Sequence, residues 1–334
     1  MRAAVITRAG TSPAPADHPD PSLRPGRTIV RVTVAPIAPL DLLVASGTSY
    51  FGVPATPYVP GVQGVGTTPD GTPVWFSTTA GMQPGDGSLA ALCSVADADL
   101  VPLPDGVAPG QAAALGLSAV AAWRVLTDRA RLEPGERVLV LGGGGVVGQV
   151  AVQAARLLGA ARVVAGTRSA AAGERARRAG ADEIVTLAAT DDPAALAARF
   201  EGALGGGADV VVDPLCGIPA TAAALALAPR GRLVNLGSEA GATATFDSAS
   251  LRSRHAAVLG YTNNALTPDE RRDALVAVLT HAATGAIAVE HEEVGLDDVT
   301  AAWERQRAGA GLRQVVRVAA PALPDQADGS SARL

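Results

Sequence analysis

The stretch Arg137-Val-Leu-Val-Leu-Gly-Gly-Gly-Gly-Val-Val-Gly148 constrains the fold of this chain more than any other. An apolar run, Val138 to Leu141, ends in glycines, and Gly143, Gly145 and Gly148 give the spacing G-x-G-x-x-G. Each glycine has its own task. The first permits a tight turn after a strand, the second lets a pyrophosphate approach the backbone, and the third lets the helix pack close to the strand. A turn, Glu133-Pro-Gly-Glu136, precedes the strand. The helix that follows places Val147, Ala151, Ala154 and Leu158 on one face, and Gly159 stops it. A second apolar strand, Arg162 to Ala165, comes next. This strand–turn–helix–strand unit predicts a doubly wound α/β sheet whose helix N-terminus, opened by Val146 and Val147, receives the phosphates of a dinucleotide.

The second strand indicates which dinucleotide. An NAD site usually carries Asp or Glu about 20 residues beyond the glycines, bonded to the ribose 2′-OH. Here the strand ends Ala165-Gly-Thr167-Arg168-Ser169 with no carboxylate. A guanidinium and two hydroxyls suit a 2′-phosphate, which an acid would repel. NADPH is therefore expected, with Thr167, Arg168 and Ser169 around the phosphate.

The chain has 334 residues, 48% hydrophobic, a net charge of −5 and two cysteines, Cys93 and Cys216. No basic block is present, which argues against nucleic acid or an anionic membrane surface as partner. Two distant cysteines do not make a disulfide framework, so a reducing, cytoplasmic compartment is expected. Arg2 and Arg8 interrupt the N-terminus too early for a signal peptide, and no apolar run is long enough to span a bilayer.

Residues 1–117 read as short strands, such as Thr28–Ala35 and Thr72–Phe76, broken by Pro and Gly. From Ser118 strands alternate with helices: Arg137–Leu141, Arg162–Ala165, Glu183–Val185, Asp209–Asp213, Arg232–Leu236 and Ala256–Leu259. Thr267-Pro-Asp-Glu270 starts a helix with a capping box, running to about Thr284. Strands near Ile287–Val289 and over Gln314–Val318, with a helix from about Asp297, return to the first region. The expected domains are 1–117 plus 285–319, with 118–284 inserted, and a disordered tail from Ala320.

Several segments then resemble one family in order and spacing. They include Pro36-Ile-Ala-Pro-Leu-Asp41, Val59-Pro-Gly-Val-Gln-Gly-Val-Gly66, Ala114-Leu-Gly-Leu-Ser118, the glycine loop, Ala179-Gly-Ala-Asp182, Pro229-Arg-Gly-Arg-Leu-Val-Asn-Leu-Gly237 and Gln314-Val-Val-Arg317. From Met1 to about Val318 the chain resembles the medium-chain dehydrogenase/reductase superfamily, in its quinone oxidoreductase-like (zeta-crystallin-like) branch. The resemblance implies a Rossmann domain inserted in a GroES-like β-barrel domain, NADP(H), a small-molecule substrate and a homodimer or homotetramer. Zinc-dependent relatives place Cys, His and Glu where this chain has Ala38, Val62 and Gln63. None of these three is a normal zinc ligand, and the four histidines show no ligand spacing. No metal is expected. The family's quinone reductases usually carry Asn at Ala38, and its absence removes a donor near the nicotinamide.

The remaining chemistry is direct hydride transfer to an enone or quinone. Asp41 and Tyr50 are the catalytic candidates, although an Asp in a strand-to-helix turn also caps helices. Tyr58, Trp75 and Phe76 either line a substrate pocket or anchor the small domain's core. Ser118 either caps a helix or meets the cofactor. Gly237, Ser238 and Asn263 follow strands whose carboxyl ends should flank the nicotinamide. Asp213 is read as capping a helix, ordering a loop or touching the cofactor, and Arg313 as a surface residue, with reach into the interdomain cleft as the alternative. Two further readings stay open: a non-redox biosynthetic enzyme, such as a cyclase or dehydratase, and a non-catalytic NADPH-binding protein.

Overall fold

The structure, a computed structural model, describes residues 1–309 and 311–318. The tail expected from Ala320 lies outside the described residues. The first part of the chain forms strands β1 (Arg2–Val5), β2 (Ala14–Asp17) and β3 (Arg27–Pro36), then helix α1 (Pro39–Ser46). Strands β4 (Gln63–Thr67), β5 (Pro73–Ser77), β6 (Leu92–Ala96) and β7 (Leu100–Pro102) follow, and helix α2 (Pro109–Arg124) leads out. The middle alternates: β8 (Arg137–Leu141), α3 (Val146–Leu157), β9 (Arg162–Thr167), α4 (Ala170–Arg178), β10 (Glu183–Thr186) and α5 (Pro193–Leu204). It continues with β11 (Ala208–Asp213), α6 (Gly217–Leu225), β12 (Leu227–Asn235), α7 (Ser248–Arg254), β13 (Ala257–Gly260) and α8 (Pro268–Ala283). Strand β14 (His291–Gly295), helix α9 (Val299–Arg307) and strand β15 (Arg313–Arg317) end the described chain.

The middle strands form one six-stranded parallel sheet, ordered β10-β9-β8-β11-β12-β13. Val138, Leu139, Val140 and Leu141 are all fully buried, because helices cover both faces. That is why β8 reads as an unbroken apolar run rather than an alternating one. The chain winds outward from β8 to β10, returns to β11 beside β8, and winds the other way. The switch point therefore lies between the carboxyl ends of β8 and β11, where an open α/β sheet binds its ligand. Helix α3 owes its close seat to Gly148. A Cβ there would press on the Gly142 carbonyl and lie 2.6 Å from the Gly143 Cα.

A second large sheet has the order β14-β15-β3-β4-β5-β7, with β6 on β3, and β1 pairs with β2 in a small sheet of its own. The long strand β3 is the hub of the large sheet. Antiparallel pairing with β6 uses Arg27–Arg31, and pairing with β15 uses Val34–Pro36. The last strand of the described chain therefore completes this sheet. The extended stretch Ile287–Val289 is not a strand, contrary to expectation. Ile287 and Val289 instead bury their side chains in the core shared with α2 and α8, and the ladder starts two residues later. The capping box predicted for α8 is present, with Thr267 Oγ1 accepting from the Glu270 amide at 3.2 Å. No helix among the described residues is long and apolar enough to cross a membrane.

Candidate active site

Two adjoining cavities open at the switch point. The first, of 430 Å³, runs along Gly142, Gly144, Gly145 and Gly148 and ends at Thr167, Arg168 and Ser169. Val146 and Val147 form its floor at the start of α3, and no side chain caps that helix end. A Cβ on Gly145 would meet only the Gly142 carbonyl, at 3.6 Å, so the loop leaves open room above it. Free amides at a helix start beneath open space, with Arg168 further along, fit a dinucleotide's phosphates. Arg168 is exposed, and no partner among the described residues engages its guanidinium. Ser169 caps α4 by accepting from the Ala172 amide at 3.3 Å, so its hydroxyl has a structural task as well. Gly143 does not line the cavity. It lies beneath, where a Cβ would come within 2.6 Å of the Ala165 Cβ, so its role is strand packing.

Arg175 was not foreseen. It stands two helical turns beyond Arg168, lines the same cavity, and donates from Nε to the Gly144 carbonyl at 2.9 Å. It thereby ties α4 to the glycine loop. The basic spacing of residues 168 and 175 is the only local signal for it.

The second cavity, of 720 Å³, adjoins the first and shares Pro39, Ser118, Val147, Leu236 and Gly237 with it. Ala38, Tyr50, Ser238 and Asn263 line it. Tyr50 is 77% exposed and sits at the rim. Its hydroxyl accepts from Asn264 Nδ2 at 2.9 Å, across 214 residues of sequence. Asn263 holds the wall from behind: its Oδ1 accepts from the Tyr261 hydroxyl at 2.7 Å, and its Nδ2 donates to the Leu117 carbonyl at 2.8 Å. Sequence reasoning also missed the half-buried pair Arg271–Asp99, 2.7 Å apart, which forms a polar patch on this wall.

Three expectations require correction. Tyr58, Trp75 and Phe76 line neither cavity. Trp75 and Phe76 are fully buried and Tyr58 nearly so, each packed in a hydrophobic cluster. Asp41 is likewise enclosed. Its Oδ2 accepts from the Ala38 amide at 2.8 Å, and its Oδ1 from the Gly61 and Val62 amides at 3.1 and 2.9 Å. It pins the start of α1 to the turn before β4 and does not reach either cavity. Burial pushes its carboxyl from 3.8 up to about 6, against the pull of those three amides. Asp213 keeps one of its expected roles, ordering its loop: Oδ1 accepts from the Leu215 and Cys216 amides, at 2.9 and 2.8 Å, and Oδ2 from Asn235 Nδ2 at 2.8 Å. Arg313 is not on the surface. It is 4% exposed, and burial pulls its guanidinium down to about 10.

Helix α2 explains how Ser118 comes to stand where the cavities meet. It breaks at Gly116, whose φ of 36° and ψ of −134° are far from helical. Gln63 plugs the break. Its Oε1 accepts from the Leu117 amide at 2.6 Å and its Nε2 donates to the Ala113 carbonyl at 3.4 Å. A Cβ on residue 116 would overlap this carboxamide. Ser118 thus follows a fixed kink, not a first-turn cap.

Comparison with known proteins agrees with this geometry. The family model described as zinc-binding dehydrogenase matches residues 146–280. Among curated proteins, a phenolphthiocerol/phthiocerol polyketide synthase subunit of Mycobacterium tuberculosis is 33% identical over 270 residues, covering 78% of this chain and 12% of that protein. A quinone oxidoreductase of Rattus norvegicus is 34% identical over 158 residues, 44% of each chain. These matches span less than half the length of either relative. Among solved structures, the quinone oxidoreductase from Thermus thermophilus, determined also in complex with NADPH, superposes with a TM-score of 0.77. It is 28% identical and covers 95% of this chain and 100% of its own. A sheet that switches at the glycine loop, a second sheet completed by the last described strand and likeness along nearly the whole length lead to one assignment: a quinone oxidoreductase-like protein of the medium-chain dehydrogenase/reductase fold.

Proposed function

We propose that this chain is a zinc-independent, NADPH-dependent oxidoreductase acting on a conjugated carbonyl (enone) or a quinone. The observation that carries the reading is the junction of the two cavities. A glycine-loop cleft with Arg168 at its far end runs into a roomy, largely apolar cavity at Ser118, Val147 and Gly237. A nicotinamide bound there supplies a hydride. The chain's own residues do the rest. The start of α3 and Arg168 bind phosphates, Gly237 and Val147 leave a flat slot at the junction, and the cavity walls orient an acceptor and exclude water. Ala38, Val62 and Gln63 offer no ligand for a catalytic zinc, and Gln63 is occupied with the α2 break.

The division of the chain at 117/118 and 284/285 belongs to the same proposal, supported by the break at Gly116 and the end of α8 at Ala283. So does a homodimer or homotetramer. Strand β13 is an edge of the parallel sheet with Val258 36% exposed, a place for a second copy to pair.

NADPH and NADH titration, followed at 340 nm with a panel of quinones and enones, tests the reading. NADPH oxidation with any acceptor is expected. Tight NADPH binding without oxidation would instead favour a non-redox biosynthetic role, the second reading, which draws on the similarity to polyketide synthase subunits over 78% of the chain. Arg168→Ala is expected to weaken NADPH binding about tenfold, the order of one exposed charge-assisted contact, and to leave NADH binding unchanged. Equal loss for both cofactors would show that Arg168 does not read the 2′-phosphate.

A further inference from the structure

Arg313 lies in the interior without a direct counter-charge. Its Nη1 donates to the Ile37 carbonyl at 3.0 Å and its Nη2 to Ser118 Oγ at 2.9 Å. Its Nε is buried with no partner. No carboxylate among the described residues lies within ion-pair distance of it. Asp41 acts on it only from further off, and both oxygens of that carboxylate are taken by backbone amides. A buried cation with no paired anion is costly to hold, and natural sites retain such a group where a negative charge arrives or develops.

Arg313 itself lines the first cavity, and Ser118 connects it to the second. Its oxygen accepts from Arg313, and no carbonyl or carboxylate among the described residues accepts its own proton. The break at Gly116 frees it from the usual backward bond along the helix. The hydroxyl is partly exposed and lines both cavities at their junction. A hydroxyl that accepts from a guanidinium is polarised into a stronger donor. Immediately beside this pair stands Ala38, which offers no polar side-chain group.

We infer that Ser118, polarised by Arg313, is the hydrogen-bond donor that stabilises the oxyanion formed on the hydride acceptor. Ser118 is the catalytic residue and Arg313 its positioning residue. This inference rests on the hydride-transfer reading above. A C–H bond of the reduced nicotinamide breaks with its electron pair, and a C–H bond forms at the β-carbon of the enone. The C=C pair shifts to the α-carbon and the carbonyl pair to oxygen, giving an enolate that accepts from the Ser118 hydroxyl. A proton from water then adds at the α-carbon. For a quinone, the hydride adds at one carbonyl oxygen, the ring pairs shift to the other oxygen, and that oxyanion accepts from Ser118 before it takes a proton from water to give the hydroquinone.

The test separates this inference from the reading beneath it. 4-Nitrophenol, whose ionised form absorbs near 400 nm, reports an oxyanion site without turnover. Bound to the wild-type protein saturated with NADP⁺, it is expected to ionise at least one pH unit lower than when free. That shift corresponds to a tenfold or greater preference for the anion. Ser118→Ala and Arg313→Met should each return the ionisation to within about 0.3 unit of the free value, and the double variant should add nothing, because the two act as one unit. NADP⁺ affinity should be unchanged in Ser118→Ala, a substitution that suits a helix. An unshifted wild-type ionisation, a shift that survives Ser118→Ala, or loss of NADP⁺ binding in step with it would each overturn the inference. With 2-cyclohexen-1-one and 1,4-benzoquinone as acceptors, Ser118→Ala should lower kcat on the order of 100-fold without changing the Kd for NADPH. If the wild-type protein reduces neither acceptor, the hydride-transfer reading fails, and the nitrophenol titration still decides the oxyanion site.

Discussion

Gly148→Ala is expected to destabilise the chain by about 2–3 kcal/mol, the upper part of the range for overpacking a tight core. It should also raise the Kd for NADPH about 100-fold, the scale of loss that follows an ångström of misplacement. The added Cβ has backbone on every near side, with the Gly143 Cα at 2.6 Å and the Gly143 carbonyl carbon at 2.8 Å, so the loop and α3 must part. Gly145→Ala provides the contrast. Its Cβ meets only the Gly142 carbonyl oxygen at 3.6 Å, so the fold should melt as the wild type does while the cofactor alone is displaced. Thermal melting and NADPH fluorescence titration of both variants check the pair. Normal binding by Gly148→Ala would show that helix–strand contact does not shape the cleft.

Asp41→Ala should be the most damaging single change outside the glycine loop. It leaves the amides of Ala38, Gly61 and Val62 without their acceptor in the buried interior. At about 1–3 kcal/mol for each of the three buried unsatisfied groups, the loss is on the order of 3–9 kcal/mol, enough to unfold an ordinary domain. The pH dependence has a definite sign. Burial raises the folded carboxyl from 3.8 to about 6, so between these values the folded chain holds a proton that the unfolded chain has released. The Asp41 contribution to stability is therefore full below 3.8 and declines as pH rises to about 6, by about 3 kcal/mol at most. Denaturant titrations from about pH 3.5 to 7 should show this slope in the wild type and lack it in Asp41→Asn. An identical slope in both would mean that other groups set the pH dependence. If Asp41→Asn folds and keeps the wild-type kcat, the residue's work is structural, as its enclosure indicates.

How much could be read in advance depended on whether the governing contact was local. The β8–α3 unit was legible because its demands fall within a single short stretch, residues 137–148: two buried faces for the strand, close approach for Gly148, open space above Gly145. Aromatic residues in β5 were ambiguous for a physical reason. Val74 to Ser77 are all buried, so the strand lacks the alternation that separates core from cavity. Gln63 carried no local mark of its task, since the helix break that it plugs lies 54 residues away. Arg313 was misread on the ordinary rule that a charge stays in water. Its burial arises because β15 joins β3, bringing its guanidinium to a carbonyl 276 residues earlier.

That late pairing also sets an order of events during synthesis. The parallel sheet is encoded by residues 137–260, all of which precede β15 in the chain. The other sheet has its central strand, β3, at Arg27–Pro36, yet its neighbour β15 comes only at Arg313–Arg317. One edge of β3 must therefore wait, open, while all the residues between the two strands are made. Because Arg313 is the first residue of β15, the same event that closes that edge delivers the buried cation to Ser118. On the proposed reading, the glycine loop is made before the junction of the two cavities can be organised, and that junction waits for β15.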